Sequence, residues 1–152
     1  MGHIVISQAV EEEEIREVFA IRKEVFVDEQ KVFSDSDIDE NDQKSIYLIA
    51  REDGRIVGTV RVFPSGNDGT WVGGRLAVKS EYRGNHAAVL LSREAVETVK
   101  AHNCRRFIAE IQKQNVNFFR QLGWKLIGDE FIYSGIPHQL MEADLNISGR
   151  RD

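Results

Sequence analysis

RLAVKSEYRGNHAAVLLS, residues Arg75 to Ser92, carries an apolar strand through a short polar turn containing Arg83-Gly84 and directly into a helix. A helix start leaves several backbone N–H groups without intrahelical partners and adds the positive end of the peptide dipoles, so such a junction is suited to gripping an anion.

Working outward from that junction, the upstream sequence reads as strands joined by turns. Ser45 to Arg51 and Ile56 to Phe63 form a hairpin around Glu52-Asp53-Gly54-Arg55, with Pro64 closing the second strand. After a turn at Ser65 to Gly69 comes a third strand, Thr70 to Val78, interrupted by Gly73-Gly74, which marks either a bulge or a close backbone approach. Further upstream, His3 to Ser7 alternates weakly as a first strand, and Glu11 to Glu14 supply the negative charge suited to a helix start. That helix buries Ile15, Val18, Phe19, Val25 and Phe26. Arg22 lies on or beside its apolar face, as a snorkelling stem or as a functional contact. The acidic run SDSDIDENDQK, Ser34 to Lys44, has no periodicity and reads as a loop.

Downstream, Ala88, Leu91, Ala95 and Val99 recur at helical spacing in a helix from Ala87 to Ala101, ending at His102-Asn103. A strand from Arg106 to Ile111, a short helix from Asn115 to Leu122 stopped by Gly123, and two strands, Trp124 to Tyr133 and Gln139 to Leu145, complete the chain. The order β-α-loop-β-β-β-α-β-α-β-β predicts an α/β (α+β) fold with a mixed sheet and helices on its faces.

The 152 residues fit one domain, expected over 1–146 with a flexible tail at 147–152. Hydrophobic residues at 41% and charged residues at 30% make a soluble globular mixture, and no apolar run reaches the ~18 residues of a membrane span. MGHIVISQ lacks the pattern of a secretory signal. A net charge of −5 argues against a nucleic-acid partner. The single cysteine, Cys104, excludes an internal disulfide and fits a reducing cytoplasm, and His3, His86, His102 and His138 are too dispersed to suggest a metal site.

With that element order and these motifs, the chain resembles the GNAT superfamily of acyl-CoA-dependent N-acetyltransferases over nearly its whole length. The resemblance implies a mainly antiparallel central sheet of about seven strands. The family's pyrophosphate loop, R/Q-x-x-G-x-G/A, falls on Arg83, Gly84, Asn85, His86, Ala87 and Ala88, with His86 standing where the pattern has a glycine. QNVNFFRQLGW, Gln114 to Trp124, resembles the family's second cofactor segment and implies roles for Asn115, Phe118 and Phe119; Phe119 occupies the place where many members carry a tyrosine that protonates the departing thiolate. GIPHQLMEADL, Gly135 to Leu145, resembles a branch of small bacterial acetyltransferases. The N-terminal half also resembles acyl-homoserine lactone synthases: Arg22 with Val25-Phe26, Asp39 with Asp42, and Gly58, Arg61 and Pro64 match their R-x-x-V-F, acidic-pair and G-x-x-R-x-x-P patterns.

What the resemblance implies is acetyl transfer from acetyl-CoA directly to the amine of a small metabolite, with no metal. Leu76, Ala77 and Val78 would pair with the pantetheine arm and supply an oxyanion donor. The deprotonating base is left open among Glu110, His138 and Tyr133: Glu110 lies in an otherwise apolar strand, as a base or in an ion pair, and His138 acts either in catalysis or as a cap of the last hairpin. Arg22, Arg61 and Arg75 are candidates for holding a substrate carboxylate, and Asp39 for attracting an amine, unless the acidic loop is simply solvated. The alternatives are a synthase of the homoserine lactone type and a noncatalytic acyl-CoA sensor. A homodimer is compatible with either enzyme.

Overall fold

The structure, a computed structural model, describes residues 3–84 and 86–146. The elements run β1 (Ile4–Gln8), α1 (Glu12–Arg22), a π-helical continuation (Lys23–Glu29), a 3-10 turn (Glu40–Lys44), β2 (Ile46–Glu52), β3 (Arg55–Ser65) and β4 (Thr70–Val78). After a 3-10 turn (Ser80–Tyr82) come α2 (Ala87–Ala101), β5 (Arg106–Gln112), another 3-10 turn (Lys113–Asn115), α3 (Val116–Gln121), β6 (Lys125–Tyr133) and β7 (Ile136–Glu142). Among the described residues, seven strands form one sheet in the order β1-β2-β3-β4-β5-β7-β6. Among these described strands only β4 and β5 run parallel, and every other pair is antiparallel. The mixed, mainly antiparallel sheet expected from the sequence is therefore the one observed.

Helices cover both faces. On one, Ala87, Leu91, Ala95 and Val99 of α2 pack with Phe119 and Trp124 against Leu48, Ala50, Val62, Phe107 and Met141. Leu91 and Val99 are 0% exposed, and full burial of such a side chain is worth about 1.5–3 kcal/mol. The other face receives α1 and its continuation: Val18 meets Tyr47 and Ile49, while Ile21, Val25 and Phe26 meet Ala77. Asn103 ends α2 in the left-handed region at φ 60, with Cys104 N–H donating to Val99 O at 3.1 Å, a cap that closes the last carbonyls of the helix.

Local chemistry sets the remaining ends. Glu14 Oε1 accepts from the N–H groups of Glu11 (3.0 Å) and Val10 (2.9 Å) at the start of α1. These bonds, first from Glu11 and then from Val10, hold the Glu14 carboxyl down at about 2, with Arg51 adding to them.

Several sequence expectations change. β3 does not stop at Pro64 but continues to Ser65, with Pro64 opposite Trp71. The first helix is not uniform: Val25 and Phe26 lie on a π-helical stretch, whose wider turn lets the apolar face persist where 3.6-residue spacing would have rotated it away. The acidic run is not all loop, since Asp39 caps a 3-10 turn by accepting from Asn41 N–H at 3.0 Å. The segment 147–152, expected as a tail, lies outside the described residues.

Candidate active site

β4 and β5 pair only from Thr70↔Arg106 to Gly73↔Ala109, although β4 continues to Val78 and β5 to Gln112. Beyond that last rung the two parallel strands part. The β3 ladder sharpens the opening, because Thr59 pairs with Ala77 and Arg61 with Gly74, so that Arg75 and Leu76 together face Val60. This is a bulge, and Arg75 occupies it at φ 53, a left-handed conformation unusual for a non-glycine residue. A cavity of about 460 Å³ fills the gap and passes through the sheet, lined by Ser92 and Ala95 from the α2 side and by Phe33, Arg61 and Arg75 from the other.

At the end of β4 the turn into α2 is built from two left-handed residues, Gly84 at φ 88 and His86 at φ 75. His86 thus adopts the backbone that a glycine would take without strain, and its carbonyl accepts the first intrahelical bond, from Leu90 N–H at 3.0 Å. The N–H groups of Ala88 and Val89 precede that bond. Ala87 is buried, His86 exposed, and Asn85 lies outside the described residues. The Arg83 side chain is already committed: its Nε donates to Val78 O at 2.9 Å, and its Nη atoms donate to Glu29 at 2.6 and 2.7 Å. It straps the turn to the π-helical segment, leaving backbone rather than guanidinium as the anion-facing part of the junction.

On the α1 side, three arginines and three aspartates close into a ring. Arg22 bonds Asp37 (2.7 Å) and Asp42 (2.7 and 3.1 Å), Arg61 bonds Asp39 (2.7 and 2.9 Å) and meets Asp42 (3.0 Å), and Arg75 meets Asp37 (3.2 Å) and Asp39 (3.3 Å). Each guanidinium also lies over a ring: Arg22 on Phe19, Arg61 on Phe63, Arg75 on Phe33. Burial pushes the Asp42 carboxyl up, but the hydrogen bonds from Arg22 and from Asp39 N–H outweigh it and the net direction is well down. The Arg61 hydrogen bonds likewise hold Asp39 below the usual carboxylate range.

The ring bears on two of the expected substrate-binding residues. Arg22 is 0% exposed and bound on every side, so it has no surface left for a substrate carboxylate. Arg61 is 4% exposed with both Nη atoms engaged, and its Nε is buried without a partner. Arg75 and Asp39 line the cavity, and so does part of Arg61. Asp37, 3% exposed, went unnoticed in the sequence because only the folded chain brings it between Arg22 and Arg75.

The three candidate bases converge on the same cavity, on the side of β5 and β7. Glu110 pairs across the ladder with Leu140, and Gln112 with His138. Glu110 is exposed rather than buried, since alternation along β5 sends Phe107, Ala109 and Ile111 into the core and Glu110 to the open face. Tyr133 stands edge-on to His138 (5.4 Å between centroids) and to Phe33 (6.5 Å), while His138 stacks on Phe131 at 5.8 Å. Asn115 and Phe119 line the cavity near α3, with Phe119 edge-on to Trp124 at 5.4 Å; Phe118 is half-buried against Phe119. Leu76 also lines the opening, whereas Ala77 and Val78 are buried. Cys104 is half-buried, its thiol donates to Arg106 O at 3.0 Å, and burial pushes its pKa up, all of which suits an inert residue.

The sheet is thus opened between two parallel neighbours, above a turn into a helix N-terminus, and the opening holds a cavity. The model of the acetyltransferase (GNAT) family matches residues 8–124, and the chain belongs to that family. It is similar to YjcF of Bacillus subtilis, named an uncharacterized N-acetyltransferase, with 28% identity over 90% of this chain and 96% of the relative. In fold it is similar to Escherichia coli ElaA (TM-score 0.82, 22% identity, 95% and 100% of the two chains) and to the AHL synthase LasI (TM-score 0.77, 15% identity, 96% and 92%). Among the described residues, no helix is long and apolar enough to cross a membrane.

Proposed function

We propose that the chain, acting as a single domain, uses acetyl-CoA to acetylate the amine of a small metabolite in one direct transfer. The observation that carries this is the parting of β4 and β5 after Gly73 and Ala109, with the cavity running through the sheet from the α2 side to the ring of arginines and aspartates. The residues fit such a co-substrate: a Cβ at Gly74 or Gly84 would meet nothing within 4 Å, so both the opening and the turn have room for a ligand. Gly84, His86 and the first N–H groups of α2 would face the diphosphate, and Leu76 to Val78 would face the pantetheine arm. Bound there, acetyl-CoA supplies an electrophilic thioester carbonyl. Side chains on the opposite side of the cavity then hold the amine and take its proton, and positioning alone contributes several kcal/mol of barrier reduction, on the order of 7–11 in the best-aligned cases.

Thermal stabilisation by excess acetyl-CoA, followed by thiol release with an amine panel, tests the reading. A protein neither stabilised nor active overturns it. A second reading, acyl transfer of the homoserine lactone type, is favoured by the ring residues Arg22, Asp39, Asp42 and Arg61, which carry the matching sequence pattern, and by the likeness to LasI. Turnover of S-adenosylmethionine with a longer acyl donor would select it.

A further inference from the structure

His138 is 5% exposed, yet it lines the cavity. Its Nδ1 lies 2.8 Å from Ile136 O. A carbonyl oxygen only accepts, so in the neutral ring Nδ1 carries the proton and Nε2 carries the lone pair. Nε2 has no hydrogen-bond partner among the described residues, and it is not sealed away, since the one buried unpartnered side-chain nitrogen or oxygen among them is Arg61 Nε. The ring is held from two sides by Phe131, stacked at 5.8 Å, and Tyr133, edge-on at 5.4 Å. An imidazole with a fixed tautomer, a clamped plane and one open lone pair, on a residue that lines a ligand-sized cavity, is equipped to accept a proton there.

We infer that His138 Nε2 is the base that deprotonates the acceptor amine. This rests on the proposed acetyl transfer. The acceptor enters as an ammonium and gives one proton to Nε2, which leaves a neutral nitrogen and an imidazolium. The nitrogen–carbon bond then forms at the thioester carbonyl, and the carbon–sulfur bond breaks with its electron pair on sulfur. The nitrogen's second surplus proton goes to that thiolate, giving amide and free thiol. The imidazolium returns its proton to water, and the exposed Glu110, diagonal to His138 on the same face of the β5–β7 ladder at about 7–8 Å, provides the way out. Phe119, at 7% exposure, has no proton to offer the sulfur, so the second proton comes from the acceptor itself. The ionisable groups lining the cavity with His138 are Glu110 and Tyr133 on its side and Asp39, Lys44, Arg61 and Arg75 across from it. Of these, Asp39, Arg61 and Arg75 belong to the ring, which pairs them with aspartates or arginines.

The test uses His138→Asn, whose amide N–H replaces the Nδ1–H donor to Ile136 O while offering no base. Two small acceptors are compared: ethylamine, an ammonium near neutral pH, and hydroxylamine, whose nitrogen is neutral there. The expected result is a loss of about 10²–10⁴-fold in kcat with ethylamine, with disappearance of the acidic limb of its pH profile, and a change of less than about tenfold with hydroxylamine. Acetyl-CoA affinity by calorimetry should be unchanged. Independently of turnover, ¹⁵N spectra of the free wild-type protein should show the neutral His138 ring protonated at Nδ1. Equal losses with both acceptors, an unchanged ethylamine rate, or a ring protonated at Nε2 overturns the inference. A wild-type protein that neither binds acetyl-CoA nor releases thiol overturns instead the acetyl-transfer reading beneath it.

Discussion

Arg83 and Glu29 form a two-pronged ion pair, Nη1 to Oε2 at 2.6 Å and Nη2 to Oε1 at 2.7 Å, that ties the turn before α2 to the π-helical end of the first helix. Both side chains are about 40% exposed, at 40% and 41%, so solvent screening keeps the pair's own contribution to stability near 0–1 kcal/mol at most, roughly. Its effect is on geometry. Arg83→Glu should therefore leave the melting temperature nearly unchanged while weakening acetyl-CoA binding through a loosened turn. The exchanged pair, Glu29→Arg with Arg83→Glu, should recover most of the affinity in calorimetry. Failure of the exchange to recover any would mean that the Arg83 charge itself meets the phosphates.

Arg22 illustrates the opposite regime. Its side chain is 1% exposed against Asp37 and Asp42 at 2% and 7%, so removing it leaves two carboxylates in the interior without their principal cation. Arg22→Leu should cost about 3–5 kcal/mol in urea unfolding. Arg22→Lys should restore little of that, because one ammonium cannot reproduce the forked contacts to two carboxylates.

Two carboxylates of the ring contribute to the acid limit of the fold. Asp39 and Asp42 titrate lower in the folded chain than in the unfolded one. Their contribution is thus fully present above the unfolded value of about 3.9 and is lost as pH falls from there through the folded values. Thermal melts should be flat from pH 7 to about 5 and fall steeply below about 4. Asp42→Asn should melt lower at neutral pH and show a shallower acid decline.

Gly73 sits at the last rung before the strands part, and a Cβ there would come within 2.8 Å of Phe107 Cζ. Phe107 is 1% exposed and held against Trp124 at 5.2 Å, so its ring has little room to retreat. Gly73→Ala should lower stability by about 1–3 kcal/mol and reduce acetyl-CoA affinity, because the displaced ring lines the cavity. Gly74→Ala, whose Cβ would meet nothing within 4 Å, serves as the control and should leave stability much closer to wild type.

How far these features were legible in the sequence depended on the range of the interactions behind them. β4 and α2 lie where spacing placed them, at Thr70–Val78 and Ala87–Ala101, because strand alternation, helical periodicity and the Asn103 cap are all local signals. Glu110, His138 and Tyr133, each a candidate base in the sequence, line one cavity, but the exposure of Glu110 follows from which face of β5 meets α2, a tertiary fact. The ring was the least legible part: its six members come from α1, the acidic run, β3 and β4, and an aspartate in a polar stretch looks solvated until three arginines converge on it. The π-helical stretch was hidden for another reason, since one widened turn leaves the apolar pattern almost intact.

Because the ring alternates three guanidinium groups with three carboxylates and closes on itself, it is electrically self-contained. A wall of this kind projects almost no field beyond its own neighbours, so it neither hastens nor hinders the arrival of a charged molecule from solution. An acceptor would be admitted there by contour, and changing ionic strength should alter its encounter rate far less than it alters that of an anionic partner approaching a chain whose net charge is −5.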